Sequence, residues 1–209
     1  MRGTALQKVA RLVGHLIAQP KYFIPYLRTN IIADTSPLEL ELPWISYGAI
    51  DFLKEFVRPD MSVFEYGSGG STLFFARRAA AVTSTEDNRL WMDKVAQRLA
   101  QLGLNNALFQ YHEFDFKQPA NFKHSRYLHS IPDKKFDIIV VDGTEEAIDV
   151  RSICFQHAEK FVRNGGIIIV DDSWRYPDLR RTHQAKRCTV FQSVGPCRPG
   201  VTSTDIFFY

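Results

Sequence analysis

Ser62-Val63-Phe64-Glu65-Tyr66-Gly67-Ser68-Gly69-Gly70-Ser71-Thr72 is the stretch whose reading decides the fold. A short β-prone run, Ser62 to Tyr66, ends in glycines, and Ser71 to Arg78 reads as a helix, giving strand, tight turn, helix. Glycine at Gly67, Gly69 and Gly70 lets a ligand come close to the backbone, because no Cβ intervenes and positive φ is tolerated. A tight strand-to-helix turn explains the same glycines without a ligand, so the loop has to be judged with its neighbours.

Working outward, strands and helices alternate. Ile45, Ala49, Ile50, Leu53, Phe56 and Val57 share a helical face that stops before Pro59. After the loop, Ala81 to Thr85 reads as a second strand. Asn88 to Leu102 follows as a helix with Trp91, Val95, Leu99 and Leu102 on one side and Gly103 closing it. Leu108 to Tyr111 and Phe136 to Val141 are further strands. Thr144 then offers an N-cap ahead of Glu145 and Glu146 for a helix whose end carries Lys160 and Arg163 before Asn164-Gly165-Gly166. Ile167 to Val170 is β-branched throughout, as suits a strand covered on both faces. Thr189 to Val194 and Thr204 to Phe208 flank Gly195-Pro196 and Pro199-Gly200, and read as a terminal antiparallel hairpin. The pattern predicts an α/β fold built on an open, doubly wound, mostly parallel sheet.

The chain has 209 residues, 45% of them apolar, which suits one domain with a substantial core. A formal charge of +3 is too small to argue for nucleic acid, which is not expected as a partner. Cys154, Cys188 and Cys197 are too scattered for a disulfide framework or a zinc cluster and fit a reducing compartment, so a cytoplasmic location is expected. Residues 1–35 stand apart as a basic extension before a single domain over 36–209. Arg2, Lys8, Arg11, Lys21 and Arg28 precede the first acid, Asp34. Leu6, Val9, Ala10, Val13, Leu16 and Ile17 recur at helical spacing until Pro20 and Pro25 intervene. Two readings stay open: a helix packed on the domain or over its active site, and a helix lying on a membrane surface.

In a doubly wound sheet, ligands sit beyond the carboxyl ends of the strands. Those positions here hold Glu65 to Ser71, Glu86-Asp87, His112-Glu113, Asp142-Gly143 and Asp171-Asp172. Charge separates two occupants of the glycine loop. A dinucleotide brings a pyrophosphate that a carboxylate repels, whereas S-adenosylmethionine brings an ammonium and a sulfonium that Glu65 attracts. The dinucleotide spacing also asks for glycine at position 72, where this chain has Thr72. Glu86, about 20 positions further on, is placed to accept hydrogen bonds from ribose hydroxyls of either ligand.

The quoted run, Glu86, Phe136-Asp137-Ile138-Ile139-Val140-Val141-Asp142-Gly143 and Gly165-Gly166-Ile167-Ile168-Ile169-Val170-Asp171-Asp172 together resemble the class I S-adenosylmethionine-dependent methyltransferases. The resemblance covers roughly residues 40–209. It implies a Rossmann-like seven-stranded sheet with an antiparallel last strand and an enzyme that moves a methyl group. It also implies that Glu65 and Gly67, Ser68, Gly69, Gly70, Ser71 and Thr72 hold the methionine end and Glu86 with Asp87 the ribose. Glu113 or Asp115 would lie near adenine, and Asp142 beside the cofactor. Ser71 stands where many members have a third glycine.

Methyl transfer from a sulfonium is an in-line displacement that needs a base only when the acceptor must lose a proton. Asp142 and Asp172 are the candidates for that role. The spacing of Asp142, Asp171 and Asp172 is similar to the metal site of catechol-type O-methyltransferases, which implies Mg2+ as a second cofactor; strand-end acids bonded to loop amides are the alternative. The acids direct the expectation toward a small-molecule hydroxyl acceptor, with Trp174, Arg175, Tyr176, Trp44 and Tyr47 as wall residues and His112, His124 and His129 as unsupported base candidates. A protein that only holds the adenosyl ligand, and a nicotinamide oxidoreductase disfavoured by Glu65 and Thr72, are the competing readings.

Overall fold

The computed structural model describes residues 3–32, 34–115, 118–144 and 149–209. Its centre is a seven-stranded sheet built from β1 (Ser62–Tyr66), β2 (Ala81–Glu86), β3 (Ala107–Tyr111), β4 (Phe136–Val141), β5 (Val162–Val170), β6 (Arg187–Gly195) and β7 (Arg198–Phe208). The spatial order is β3-β2-β1-β4-β5-β7-β6. The first five strands run parallel, and β7 is antiparallel to both β5 and β6. This is the sheet expected from the alternating pattern and the C-terminal hairpin. Strand order reverses between β1 and β4, which is where such a sheet opens a crevice.

Alternation along the central strands divides the core into two layers. Ile138, Val140, Ile167 and Ile169 face a layer with α4 (Tyr47–Phe56), α5 (Gly70–Ala76) and α6 (Arg89–Gln101), through Ile50, Leu53, Leu73, Phe74, Val95 and Leu99. Ile139, Val141, Ile168 and Val170 face the other layer. There Cys154 and Phe155 of α7 (Val150–Ala158) pack with Phe122 and Leu128 from two 3-10 turns and with Tyr127 just before the second. Helix α6 starts where Asn88 accepts a hydrogen bond from the Trp91 amide at 3.0 Å, the N-cap geometry that satisfies an otherwise orphaned donor.

Before the sheet come α1 (Ala5–Ala18), α2 (Phe23–Leu27) and α3 (Pro37–Leu40). Leu12 and Leu16 of α1 touch the first core layer, and Tyr22 and Tyr26 are buried in it. Pro20 opens a 3-10 turn, as a residue lacking its N–H can. Pro25 sits within α2 and does not end it. Tyr47 is buried and stacks on Tyr22.

Two boundaries differ from the sequence reading. The segment Val162 to Gly166 belongs to β5 rather than to a helix end, since Val162 pairs with Phe136 and the register shifts before Ile138. Gly165 makes this bend possible with φ +81. The hairpin turn is tighter than expected, with Gly195 paired to Arg198 and Cys197 at φ 51, so that Pro199 and Gly200 lie within β7. The N-cap at Thr144 with Glu145 and Glu146 cannot be followed, because Glu145 to Ile148 fall outside the described residues; the described helix begins at Val150.

Asp137, on the strand next to β1, ties the lower edge of the sheet together. Its carboxylate accepts from the Ser62 amide and hydroxyl at 2.8 and 2.9 Å and from Arg163 at 3.0 Å. Desolvation opposes ionisation there, but the Ser62 hydrogen bonds and Arg163 hold the carboxyl below its ordinary range. A carboxyl lowered on folding adds stability above its unfolded pKa and loses it as pH falls through its folded one. Asp137→Asn is therefore expected to cost about 1–3 kcal/mol in denaturant melts at neutral pH, and to show a smaller loss than the parent on acidification.

Candidate functional site

The carboxyl ends of β1, β2, β4 and β5 open into a cleft of about 1040 Å³. That is at the upper end of single-ligand pockets and leaves room for two molecules side by side. One end is built on the glycine loop Gly67 to Ser71, with Glu86, Asp87, Leu90, Trp91 and Tyr111 around it. The other is walled by Trp44, Trp174, Arg175, Arg198 and Thr202, and Asp142, Gly143, Arg151 and Asp172 also reach the surface of the cleft.

Backbone proximity explains the glycines. Gly67 has φ +94, and a Cβ there would stand 3.0 Å from the Gly143 Cα and 3.1 Å from the Asp142 carbonyl, so the ends of β1 and β4 meet backbone to backbone. A Cβ on Gly70 would lie 2.2 Å from the Leu42 carbonyl and 2.4 Å from that of Pro37. The entry segment around α3 thus presses directly on the start of α5. Gly69 is different: its nearest neighbour is Trp91 at 3.7 Å, so packing alone does not demand glycine at that point of the loop.

Two carboxylates buttress this loop from opposite sides. Glu65 is fully buried beneath it and is not part of the cleft wall. Thr72 Oγ1 and Ser84 Oγ each donate to Glu65 Oε2 at 2.7 Å, and the Gly69 amide donates to Thr72 Oγ1 at 3.0 Å. Glu65 Oε1 has no partner of hydrogen-bonding geometry. Desolvation pushes the Glu65 carboxyl upward, against the Ser71, Thr72 and Ser84 hydroxyls that favour the ion. Glu86 lies on the cleft side. Its Oε2 accepts from the Ser68 amide at 3.0 Å and hydroxyl at 2.8 Å, and its Oε1 from the amides of Asp87 and Asn88, both at 3.1 Å. Trp91 completes the frame by donating its indole N–H to the Ser68 carbonyl at 2.8 Å.

At the other end three aspartates meet two arginines. Arg151 reaches Asp142 at 3.0 Å while donating to the carbonyls of Gly143 and Asp171 at 3.0 and 2.9 Å. Arg198 donates to Asp172 at 2.6 Å and Asp171 at 3.1 Å. Asp171 is fully buried beneath the wall and also accepts from Thr204 at 2.9 Å. Asp172, at φ 50, further accepts from Thr202 at 2.7 Å and the Trp174 indole at 3.1 Å.

This arrangement corrects the metal expectation. Among the described residues no group of His, Cys, Asp and Glu side chains is placed to hold a metal ion. The positive charge that Asp142, Asp171 and Asp172 require is supplied by Arg151 and Arg198, whose guanidinium groups stand where a cation would have to bind, so the residues do not fit Mg2+. The arginines also split the acids. Desolvation pushes Asp142 up to about 8 despite Arg151, whereas for Asp172 desolvation is outweighed by Arg198 and Thr202, which keep it below its ordinary range.

Of the remaining sequence candidates, Ser71, Asp87, Trp44, Trp174 and Arg175 line the cleft, and Thr72, Glu113, Asp115, Tyr47 and Tyr176 do not. Glu113 is exposed and takes only a long 3.4 Å contact from the Tyr111 hydroxyl; Tyr111 itself is the residue at the third-strand exit that reaches the cleft. His112, His124 and His129 are likewise outside the wall. Sequence reasoning missed Arg151 and Arg198. Neither sits at the end of a parallel strand, and the only signal for them was the excess of buried acid that had to be neutralised.

No protein-family model matches the sequence, and no curated protein does. Similarity is found among solved structures. An rRNA methylase from Streptococcus thermophilus superimposes with a TM-score of 0.56 at 14% identity, over 84% of this chain and 98% of its own. The precorrin 8w decarboxylase from Methanobacterium thermoautotrophicum gives 0.56 at 19% identity, over 85% and 93%. The N-methyltransferase NodS from Bradyrhizobium japonicum, in complex with S-adenosyl-L-homocysteine, gives 0.55 at 14% identity, over 83% and 88%. The fold is thus the Rossmann-like fold of class I methyltransferases, and the acceptors named among these neighbours are too varied for the fold to specify one.

The backbone contact at Gly70 yields a direct test. Gly70→Ala is expected to destabilise the chain by about 1–3 kcal/mol in a denaturant melt, because its Cβ would meet carbonyl oxygens rather than a movable side chain. Gly69→Ala, whose Cβ would meet only the Trp91 ring at an ordinary contact distance of 3.7 Å, should cost measurably less.

Proposed function

We propose that this chain is an enzyme that transfers the methyl group of S-adenosylmethionine to a small polar acceptor, with a hydroxyl oxygen as the atom methylated. The observation that carries this reading is the glycine loop held between two carboxylates, Glu65 below and Glu86 beside it, at the crevice where the sheet reverses order. A phosphate-bearing cofactor would meet negative charge there, while an ammonium would be stabilised. The orphaned Glu65 Oε1 is a fitting acceptor if the loop yields to a ligand amine. Glu86 would hold the ribose by exchanging its Ser68 hydrogen bonds for sugar hydroxyls. A neighbour of this fold in complex with S-adenosyl-L-homocysteine supports the choice of cofactor.

The bound cofactor supplies an electrophilic methyl carbon on a sulfonium; the acceptor's lone pair forms the new bond as the carbon–sulfur bond breaks and the sulfur leaves as a neutral thioether. The chain's own contribution is alignment and proton removal. Asp142 lies on the cleft wall and is raised toward neutrality by burial, which suits a general base. Asp172 remains ionised and fixes Arg198 and Trp174, so that the acceptor is received between Trp44 and Trp174 by groups already held in place.

Titration calorimetry should detect S-adenosylhomocysteine binding and no NAD binding; the reverse result would overturn the cofactor assignment. Glu86→Gln removes a charge that accepts four hydrogen bonds, and is expected to weaken that binding roughly tenfold or more. With labelled cofactor and an accepted substrate, kcat should rise with pH along a limb above the ordinary carboxyl range as Asp142 loses its proton. Asp142→Asn should lower kcat by roughly 100-fold or more and abolish the limb; a limb that persists would assign the proton to another group.

A further inference from the structure

The fold leaves most of the N-terminal apolar surface unused. Helix α1 meets the core only through the edge that carries Leu12 and Leu16. Leu6, Val9, Val13 and Ile17, spaced so as to form one stripe along the helix, are 80%, 56%, 48% and 75% exposed. Exposure continues along the chain at Phe23, Ile24, Ile31 and Ile32. Among the described residues, eight of the twelve exposed large apolar side chains therefore fall before residue 33, a concentration that marks an interaction surface rather than scattered surface hydrophobics.

Charge identifies the partner. No Asp or Glu occurs before Asp34, while Lys8, Arg11, Lys21 and Arg28 lie in the described part of this segment. Asp51 of α4 meets Lys21 at 2.8 Å, and the segment itself contains no acid. A second copy of the chain would bring this cationic segment against itself across a two-fold interface, where like charges repel. An anionic lipid surface instead takes the apolar stripe into its acyl boundary and attracts the lysine and arginine side chains to its headgroups.

We propose that residues 5–32 dock the protein on an anionic lipid bilayer without crossing it. Among the described residues no helix is long and apolar enough to span a membrane, so the contact is peripheral. The same segment is bonded to the hairpin that walls the cleft. The Gly200 amide donates to the Tyr26 hydroxyl at 3.2 Å, Asn30 donates to the Gly195 carbonyl at 3.2 Å, and the Trp44 indole just beyond the segment donates to the Cys197 carbonyl at 3.2 Å. The docking segment is therefore fastened to the hairpin that carries Arg198 and Pro199 of the cleft wall.

Vesicle co-sedimentation of the full chain tests the proposal, with phosphatidylglycerol-containing vesicles compared with phosphatidylcholine alone. Sedimentation with the anionic vesicles, falling as salt rises, is expected, with little on phosphatidylcholine. The triple variant Leu6→Ser, Val13→Ser, Ile17→Ser should lower partitioning roughly tenfold or more. Lys8→Glu with Arg28→Glu should do the same through charge. All five positions are exposed, so thermal melts of both variants should match the parent. Failure to sediment with either vesicle, or equal binding to both, would overturn the proposal. So would partitioning that neither variant changes. A concentration-dependent dimer in analytical ultracentrifugation that the triple variant dissolves, without vesicle binding, would assign the face to a second copy instead.

Discussion

The close approach of backbones around the β1–α5 turn is the constraint on which the remainder of the site depends. Gly67 lets the end of β1 lie against Gly143 at the end of β4, and Gly70 lets the carbonyls of Pro37 and Leu42 press on the first turn of α5. These contacts leave no room for side chains at Gly67 and Gly70, so both ends of the loop are fixed in place. Its path places Ser68 within reach of Glu86 and Thr72 over Glu65. The cleft floor is therefore made of main chain, and the side chains that can address a ligand are displaced to its rim.

The second organising influence is the burial of acid. Glu65 and Asp171 are removed from solvent, and Glu86 and Asp172 nearly so. Desolvating a carboxylate without compensation is costly, and the structure compensates in two distinct ways. At the glycine loop the partners are neutral hydroxyls and amides, which bring no positive charge. At the ends of β4 and β5 the partners are Arg151 and Arg198, which leave the acids there balanced and geometrically fixed. Removing either arginine would strand a buried charge, so its loss costs more than the loss of a surface ion-pair partner.

Much of this was legible in the chain. The runs Ser62 to Tyr66 and Phe136 to Val141 coincide with β1 and β4, because an apolar or β-branched stretch bounded by turn residues has few other options. Asn88 and Gly103 mark α6 because capping is a local hydrogen-bonding requirement. Boundaries were read less well where nonlocal pairing overrode local chemistry. Val162 to Gly166 resembles a helix end in composition, yet its pairing with β4 draws it into the sheet. Trp44 and Trp174 were recognised as wall residues, but Tyr47, an equally aromatic neighbour, turns inward to stack on Tyr22.

The glycine loop, the strand-end acids and the acid-free N-terminal segment are properties of the sequence itself, since each depends on residue type at short range along the chain. They determined the sheet and the place where it opens a crevice. What only the tertiary structure decided is which of those acids face the cleft and what neutralises them. Glu65 lies beneath its loop, and Arg198, remote in sequence from Asp171 and Asp172, closes on them through the antiparallel hairpin. A carboxylate's role depends on its solvation and nearest cation, and both are set by segments that meet only once the chain has folded.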